Sequence, residues 1–433
     1  MNPMPAPRPD GAFPAQPDGV LEAEPDGAPR IALLDILRGV AILAILFMNV
    51  SEMGASMTAN WSDIRHIGWS GADRIAWWLR TLLVEGTARA LLEMLFGAGM
   101  LILTERIATA SDAVIAVPLR YGWRNIVLWA FGIAHMVLLL WPGDILHTYA
   151  VAALLACCFR SLPARAMLAV GLSYAAFTLV TGAVALQAPA GPQLERGRLA
   201  RTAADAAAVV REDAFGHGDR AAWVVGQRRV GLERLGADEV IFVWEAAATM
   251  LVGAALSRWG ALQGGWSRRR YRWMLAGGYG VGLPLRLYGA WEATRFDGRM
   301  EIAWIWEDAA RLAMTCGHVA AIALAVRTAT GARLLRPFVA AGRTALTLYV
   351  AQTLAVSWLV FSPFGLGLYG AFGWAWLMVL AVAVNALLLW GANWWLRYYR
   401  IAPVEWAWRS LVEVRRLPFR RRDDGLPCVS HPR

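Results

Sequence analysis

The chain contains no lysine: all 42 of its basic side chains are arginine. Arginine alone therefore carries the formal net charge of +10, a bias of coding composition that points to no nucleic-acid partner. Charge of either sign is scarce, at 17% of the 433 residues against 58% hydrophobic ones, which places the chain outside the soluble globular range. Cysteine is also sparse. Cys157 and Cys158 are adjacent, Cys316 and Cys428 stand alone, and none has the spacing of a metal site or a disulfide framework, so no metal is expected. Walker loop, Rossmann fingerprint, zinc spacing and nucleophile elbow are all missing, which argues against ATP-driven and metallohydrolase chemistry. Residues 1–30, rich in Pro, Gly, Ala and Asp, lack the basic-then-apolar order of a signal peptide and read as a disordered cytoplasmic leader.

What is present is a succession of apolar runs. They cover roughly 31–50, 87–104, 124–141, 144–160, 166–187, 240–257, 273–290, 303–326, 338–361 and 372–395. Each is close to the length needed to cross a hydrocarbon core of about 30 Å. The pattern predicts an all-α, polytopic transmembrane bundle of about ten spans. The segment 72–86, with Trp77 and Trp78 among Arg74, Arg80 and Glu85, reads as an interfacial helix leading into the second span or as an extension of it. Arginines crowd alternate loops, at Arg106, Arg120 and Arg124, at Arg160 and Arg165, from Arg258 to Arg272, from Arg327 to Arg336, and throughout the tail. By the positive-inside rule both termini are cytoplasmic.

The resulting division is N-terminal membrane helices at 31–187, an extracytoplasmic helical insertion at 188–239, C-terminal membrane helices at 240–396 and a basic cytoplasmic tail at 397–433. The insertion strains the rule, since it holds eight arginines as well as eight acids. Its Ala-rich stretch 199–211 predicts a helix, and the whole reads as a structural cap. Many of the 23 tryptophans fall at span ends, where they anchor helices at the interface.

Ionisable groups within spans are costly and are the first place to seek function. Asp35 and Arg38 lie three apart on one face of the first helix, as an interfacial ion pair or an anionic-ligand site, with Asn49 near its far end. Glu85, Arg89 and Glu93 recur every four residues, as a salt-bridge row or part of a substrate site. Asp144 and His147 share a face at the start of the fourth span. A carboxylate beside an imidazole suits general-base catalysis, while an Asp cap followed by an interfacial His explains the same spacing. His135 on the preceding helix is near the same surface. Glu307 and Arg311 can pair with each other, whereas Arg286 lacks an acidic neighbour on its own helix and is a second anion-binding candidate, pairing with Glu245 or Glu307 being the alternative. Gly277, Gly278, Gly280, Gly282 and Pro284 interrupt its span, as a cavity or as close helix packing.

The opening Leu34-Asp35-Ile36-Leu37-Arg38-Gly39, followed by Phe96-Gly97-Ala98-Gly99, Gly143-Asp144-Ile145-Leu146, the run from Gly342 and Arg343 to Tyr349, and Pro403-Val404-Glu405-Trp406, resembles the YeiB-like bacterial membrane family, domain of unknown function 418. The first helix is in turn similar to that of membrane acyltransferases, which carry an acyl group from a cytoplasmic donor to an extracytoplasmic hydroxyl or amine. Those enzymes place a His fourteen residues after the Asp, where this chain has Asn49. Asn cannot act as a base, so either the base comes from elsewhere, with His147 the local candidate, or the fold has been turned to another use.

Three functions follow as expectations. In the first, Arg38 with Arg343 holds the phosphate of an acyl donor such as acyl-CoA at the cytoplasmic side. Asp35 lies beside Arg38, and Asn49, a further substrate-binding candidate, lies toward the other end of the same helix. Asp144 and His147 then serve an envelope glycan or lipid acceptor. In the second, the same charges line a permease for a small anion or metabolite. In the third, the protein is a non-catalytic envelope component whose partner is the lipid bilayer itself. Oligomeric state is not written in the sequence.

Overall fold

The computed structural model describes residues 32–110, 115–187, 191–236, 238–296 and 303–420. The expected leader, and the end of the tail from 421, lie outside those residues. In chain order the helices are α1 (Ala32–Gly54), α2 (Ala59–Ser62), α3 (Gly71–Leu83), α4 (Thr87–Ala110), α5 (Ala116–Leu138), α6 (Leu146–Cys157), α7 (Ala164–Gly171), α8 (Ser173–Gln187), α9 (Pro192–Gly216) and α10 (Arg220–Arg234). There follow α11 (Asp238–Arg258), α12 (Arg268–Ala293), α13 (Ala303–Ala325), α14 (Ala329–Arg343), α15 (Ala345–Gln352), α16 (Trp374–Tyr398) and α17 (Pro403–Val412). α15 runs on without a gap into π-helical turns at Thr353–Phe361.

Among the described residues, five helical stretches are long and apolar enough to cross a membrane: Ala32–Gly54, Gly71–Ala110, Ala164–Gln187, Glu239–Arg258 and Trp374–Tyr398. A sixth is added if α13 and α14, bent by 114° at their junction, count as one span. Helices of this length and composition are those of a membrane protein. α6 and the 345–361 helix are apolar but shorter. The segment expected at the interface is α3. Gly86, at φ +67° in the left-handed region, makes the turn that separates it from α4.

Backbones meet closely where small residues allow it. A Cβ on Gly97 would lie 1.8 Å from the Met250 carbonyl oxygen, and one on Gly253 would lie 2.1 Å from that of Met94, so α4 and α11 pack through reciprocal glycines. Likewise Gly39 faces Phe338 and Gly342 faces the Asp35 backbone, which locks α1 against α14. In α12, Gly278 and Gly282 press on the α13 backbone while Gly277 and Gly280 face open space, so packing accounts for half of that glycine cluster.

The two ends of the bundle differ. One carries α9 and α10, the insertion, folded down as a cap. Glu212 accepts hydrogen bonds from Ser56 Oγ (2.5 Å), Thr58 Oγ1 (2.6 Å) and Thr58 N (3.0 Å), Asp213 meets His66 (2.6 Å) and Tyr369 (3.1 Å), and Trp223 packs on Trp358 and Phe364. Burial, reinforced by the Asp213 carboxylate, pushes the Tyr369 phenol above its usual range. At the opposite end, Arg258 donates to the Leu162 and Arg160 carbonyls and Arg327 to those of Gly264 and Trp266.

Candidate functional site

Under the cap, α5 ends at Leu138, the chain turns through Trp141-Pro142-Gly143, and α6 begins. Asp144 fixes that beginning. Its Oδ2 accepts from the amides of Leu146 (2.9 Å) and His147 (3.2 Å), tying down donors that a helix start leaves free. The same oxygen meets His147 Nδ1 at 3.0 Å, and Oδ1 meets His135 Nδ1 at 2.8 Å. An ionised carboxylate can only accept, so both Nδ1 atoms donate to it, which leaves the two Nε2 atoms facing away from Asp144. His135 Nε2 is 3.0 Å from Thr353 Oγ1. His147 Nε2 lies 3.4 Å from Thr148 Oγ1 and 3.6 Å from Glu239 Oε1, while Thr148 Oγ1 donates to that same Glu239 oxygen at 2.8 Å.

The side chains of Asp144 and His147 are 0% and 8% exposed. Gly132 makes the approach of α5 to α6 possible: a Cβ there would sit 2.4 Å from His147 N and 2.7 Å from Asp144 Oδ2. Tyr349 closes another side, its ring tilted against that of His135 at 4.9 Å between centroids and its hydroxyl accepting from the Ile145 amide at 3.3 Å. Thus the Asp144 and His147 named from spacing do meet, and the cap explanation of Asp144 holds alongside. Glu239 and Thr353 come from α11 and the π extension of α15, far from Asp144 along the chain, so spacing does not mark them. Tyr349 ends the run from Gly342, and Gly132 has no side chain to draw notice.

The remaining candidates fall into two places. Asp35 and Arg38 pair at 3.1 Å near the start of α1, with Arg38 36% exposed, and Gly342 against the Asp35 backbone brings Arg343 to the same neighbourhood. Asn49 is fourteen residues on, about 21 Å along α1. Beside it Arg80 binds the Phe47 and Met48 carbonyls and pairs with Glu85. Arg286 is occupied by backbone: it donates to the carbonyls of Thr81 (2.6 Å) and Glu85 (2.5 Å), completing the carboxyl end of α3.

Deeper in the bundle, α4, α11 and α13 share a charge network. Arg311 reaches Glu245 (2.8 Å), Glu93 (3.2 Å) and Asp308 (3.3 Å), and Arg89 reaches Glu245 (2.5 Å) and Glu93 (3.6 Å). Arg311 thus pairs across helices, besides one acid on its own. The expected Glu85-Arg89-Glu93 row is divided between this network and Arg80. Glu405 on α17 accepts from the amides of Leu346 (2.6 Å) and Thr347 (3.1 Å) and from the Thr347 hydroxyl, so it caps α15 from outside. Burial raises its pKa, with the Thr347 hydroxyl and amide acting in the opposite sense. No group of three or more His, Cys, Asp or Glu placed to hold a metal ion occurs among the described residues.

A family model described as "Protein of unknown function (DUF418)" matches residues 256–415. The "Uncharacterized protein YeiB" of Escherichia coli (strain K12) is 30% identical over 409 residues, spanning 88% of this chain and 95% of that protein. The chain belongs to the DUF418 family. A second relative, the "Uncharacterized protein YxaH" of Bacillus subtilis (strain 168), is 26% identical over 411 residues, 91% of this chain and 96% of its own length. No solved structure matches. The DUF418 match takes in Arg286, Arg343, Thr353 and Glu405, whereas Asp144 and His147 fall in the part reached by the full-length relatives.

Proposed function

We propose that this DUF418 protein is a ten-span bacterial inner-membrane enzyme that moves an acyl group from a cytoplasmic donor to an envelope acceptor. Ten passes follow from taking α3 with α4, α7 with α8, and α15 with its π-helical extension as single spans, beside α1, α5, α6, α11, α12, α13 and α16. The arginine-rich end is then cytoplasmic and the cap faces outward.

One observation carries the reading. The helix over 345–361 starts immediately after Arg343, in the neighbourhood of Asp35 and Arg38, and its Thr353 is hydrogen-bonded to His135 of the Asp144–His147 cluster. Ten residues of helix, about 15 Å, separate Arg343 from Thr353. A donor with an anionic head and a flexible thioester arm suits such a path, its phosphate at Arg38 and Arg343 and its carbonyl toward His147. There the acceptor O–H or N–H attacks the thioester carbonyl and gives its proton to His147 Nε2. The new C–O or C–N bond forms as the C–S bond breaks, and the leaving thiolate takes that proton. Asp144 orients the ring and stabilises its cationic form.

The test compares envelope lipids and glycans, by mass spectrometry, from cells with the gene deleted, restored, or restored as His147→Ala. An acylated species lost in the deletion and the variant but present on restoration supports transfer through His147. An unchanged profile sinks it.

A carrier for a small anion or metabolite is the second reading. It is favoured by the buried network, where three carboxylates share two guanidinium groups, and by the 114° bend between α13 and α14.

A further inference from the structure

At the arginine-rich end an open groove of about 530 Å³ lies between α11, α12 and α13, walled by Trp259, Trp266, Trp273, Arg270, Met274 and Cys316. Its volume is that of a ligand site, and its lining is apolar except at the Arg270 edge. Cys316 lies nine residues before the end of α13, so the groove reaches about 14 Å along that helix, roughly one leaflet deep.

The aromatic wall is built in advance. Trp266 Nε1 donates to the Trp259 carbonyl at 2.7 Å, and the Trp266 carbonyl accepts from Arg327 at 2.6 Å, which holds the indole in place without a ligand. Trp273, 69% exposed, and Trp259, 37% exposed, form the open rim. Arg270 is exposed at the mouth. It belongs to a group, Arg268, Arg269, Arg270 and Arg272, in the opening turns of α12, where the helix dipole is least favourable to positive charge. Among the described residues Arg269, Arg270 and Arg272 make no ion pair. An anion from outside the chain can therefore reach the Arg270 guanidinium.

We infer that this groove binds one anionic phospholipid, its acyl chain along Trp259, Met274 and Cys316 and its phosphate on the Arg270 guanidinium. Exposed indoles at headgroup level, an apolar trench a leaflet deep and a cation at its mouth match the three parts of such a lipid. The inference rests on the membrane reading and is independent of acyl transfer.

The test titrates the purified full-length chain in detergent with phosphatidylglycerol or phosphatidylcholine and reads bound lipid by native mass spectrometry. One phosphatidylglycerol is expected to survive delipidation, to bind about tenfold more weakly to Arg270→Glu, and to be unaffected by Arg415→Gln with Arg416→Gln in the tail. A second readout uses a chain carrying Cys157→Ser, Cys158→Ser and Cys428→Ser. Phosphatidylglycerol should slow maleimide labelling of Cys316, and Arg270→Glu should remove that protection. Equal retention of the two lipids overturns the inference, as does an adduct lost with the tail variant but kept with Arg270→Glu. Shielding of Cys316 by a second copy of the chain without lipid also overturns it.

Discussion

Asp144 divides its carboxylate between two imidazoles, Oδ1 meeting His135 Nδ1 at 2.8 Å and Oδ2 meeting His147 Nδ1 at 3.0 Å. The same Oδ2 also secures the first amides of α6, so one side chain sets both the helix start and the orientation of the rings.

Asp144→Asn tests that division. The amide keeps one oxygen to accept with but presents N–H donors in place of the other, so one of the two Nδ1–H groups loses its acceptor. Turnover of the acylated product is expected to fall by about 10²- to 10⁴-fold, the span associated with a positioned acid–base group. Product formation in membranes containing equal amounts of wild type and variant checks this, and equal rates would rule out a part for Asp144 in the reaction.

Gly132→Ala places a methyl group against the backbone nitrogen of His147, which cannot yield as a flexible side chain can. A loss of about 1–3 kcal/mol is expected, together with lost activity. Gly122→Ala on the same helix meets nothing within 4 Å and should be neutral or slightly stabilising. Thermal unfolding of the two variants in detergent makes the comparison, and similar midpoints would contradict the close α5–α6 contact.

Arg311→Ala leaves Glu93 and Glu245, 1% and 7% exposed, with only Arg89 between them. The expected destabilisation is about 3–5 kcal/mol, far beyond a surface pair. Adding Glu93→Ala should recover part of it by removing the stranded charge, a coupling read from a double-mutant cycle. Additive effects would argue against a shared network.

Glu405→Ala removes the external cap of α15, at a cost of about 1–2 kcal/mol, whereas Glu405→Gln keeps an acceptor oxygen for the Leu346 amide and should cost less. Unfolding midpoints that fall in the reverse order would refute capping as the role of Glu405.

The helices were largely legible because lipid-length apolar runs carry their own signal. α14 was not, for its first residues hold Arg333 and Arg336 and lower the local hydropathy, so the segment before 338 reads as a loop. At the candidate site, Asp144 and His147 could be joined from a spacing of three. Glu239 and Thr353 could not, since they stand 91 and 218 positions from the partners they meet, Thr148 and His135. The external capping by Glu405 was equally hidden: the motif around Pro403 was visible, but its partner amides lie 58 and 59 positions earlier.

α11 opens with Glu239 beside His147 and carries Glu245 between Arg89 and Arg311 six residues further down. A helix is stiff along its axis, so these two carboxylates travel together. An axial shift of α11 that drew Glu239 from His147 by a turn would pull Glu245 from its arginines as well. In such a shift the histidine site and the buried charges would be geared to one another, with α11 as the connecting rod.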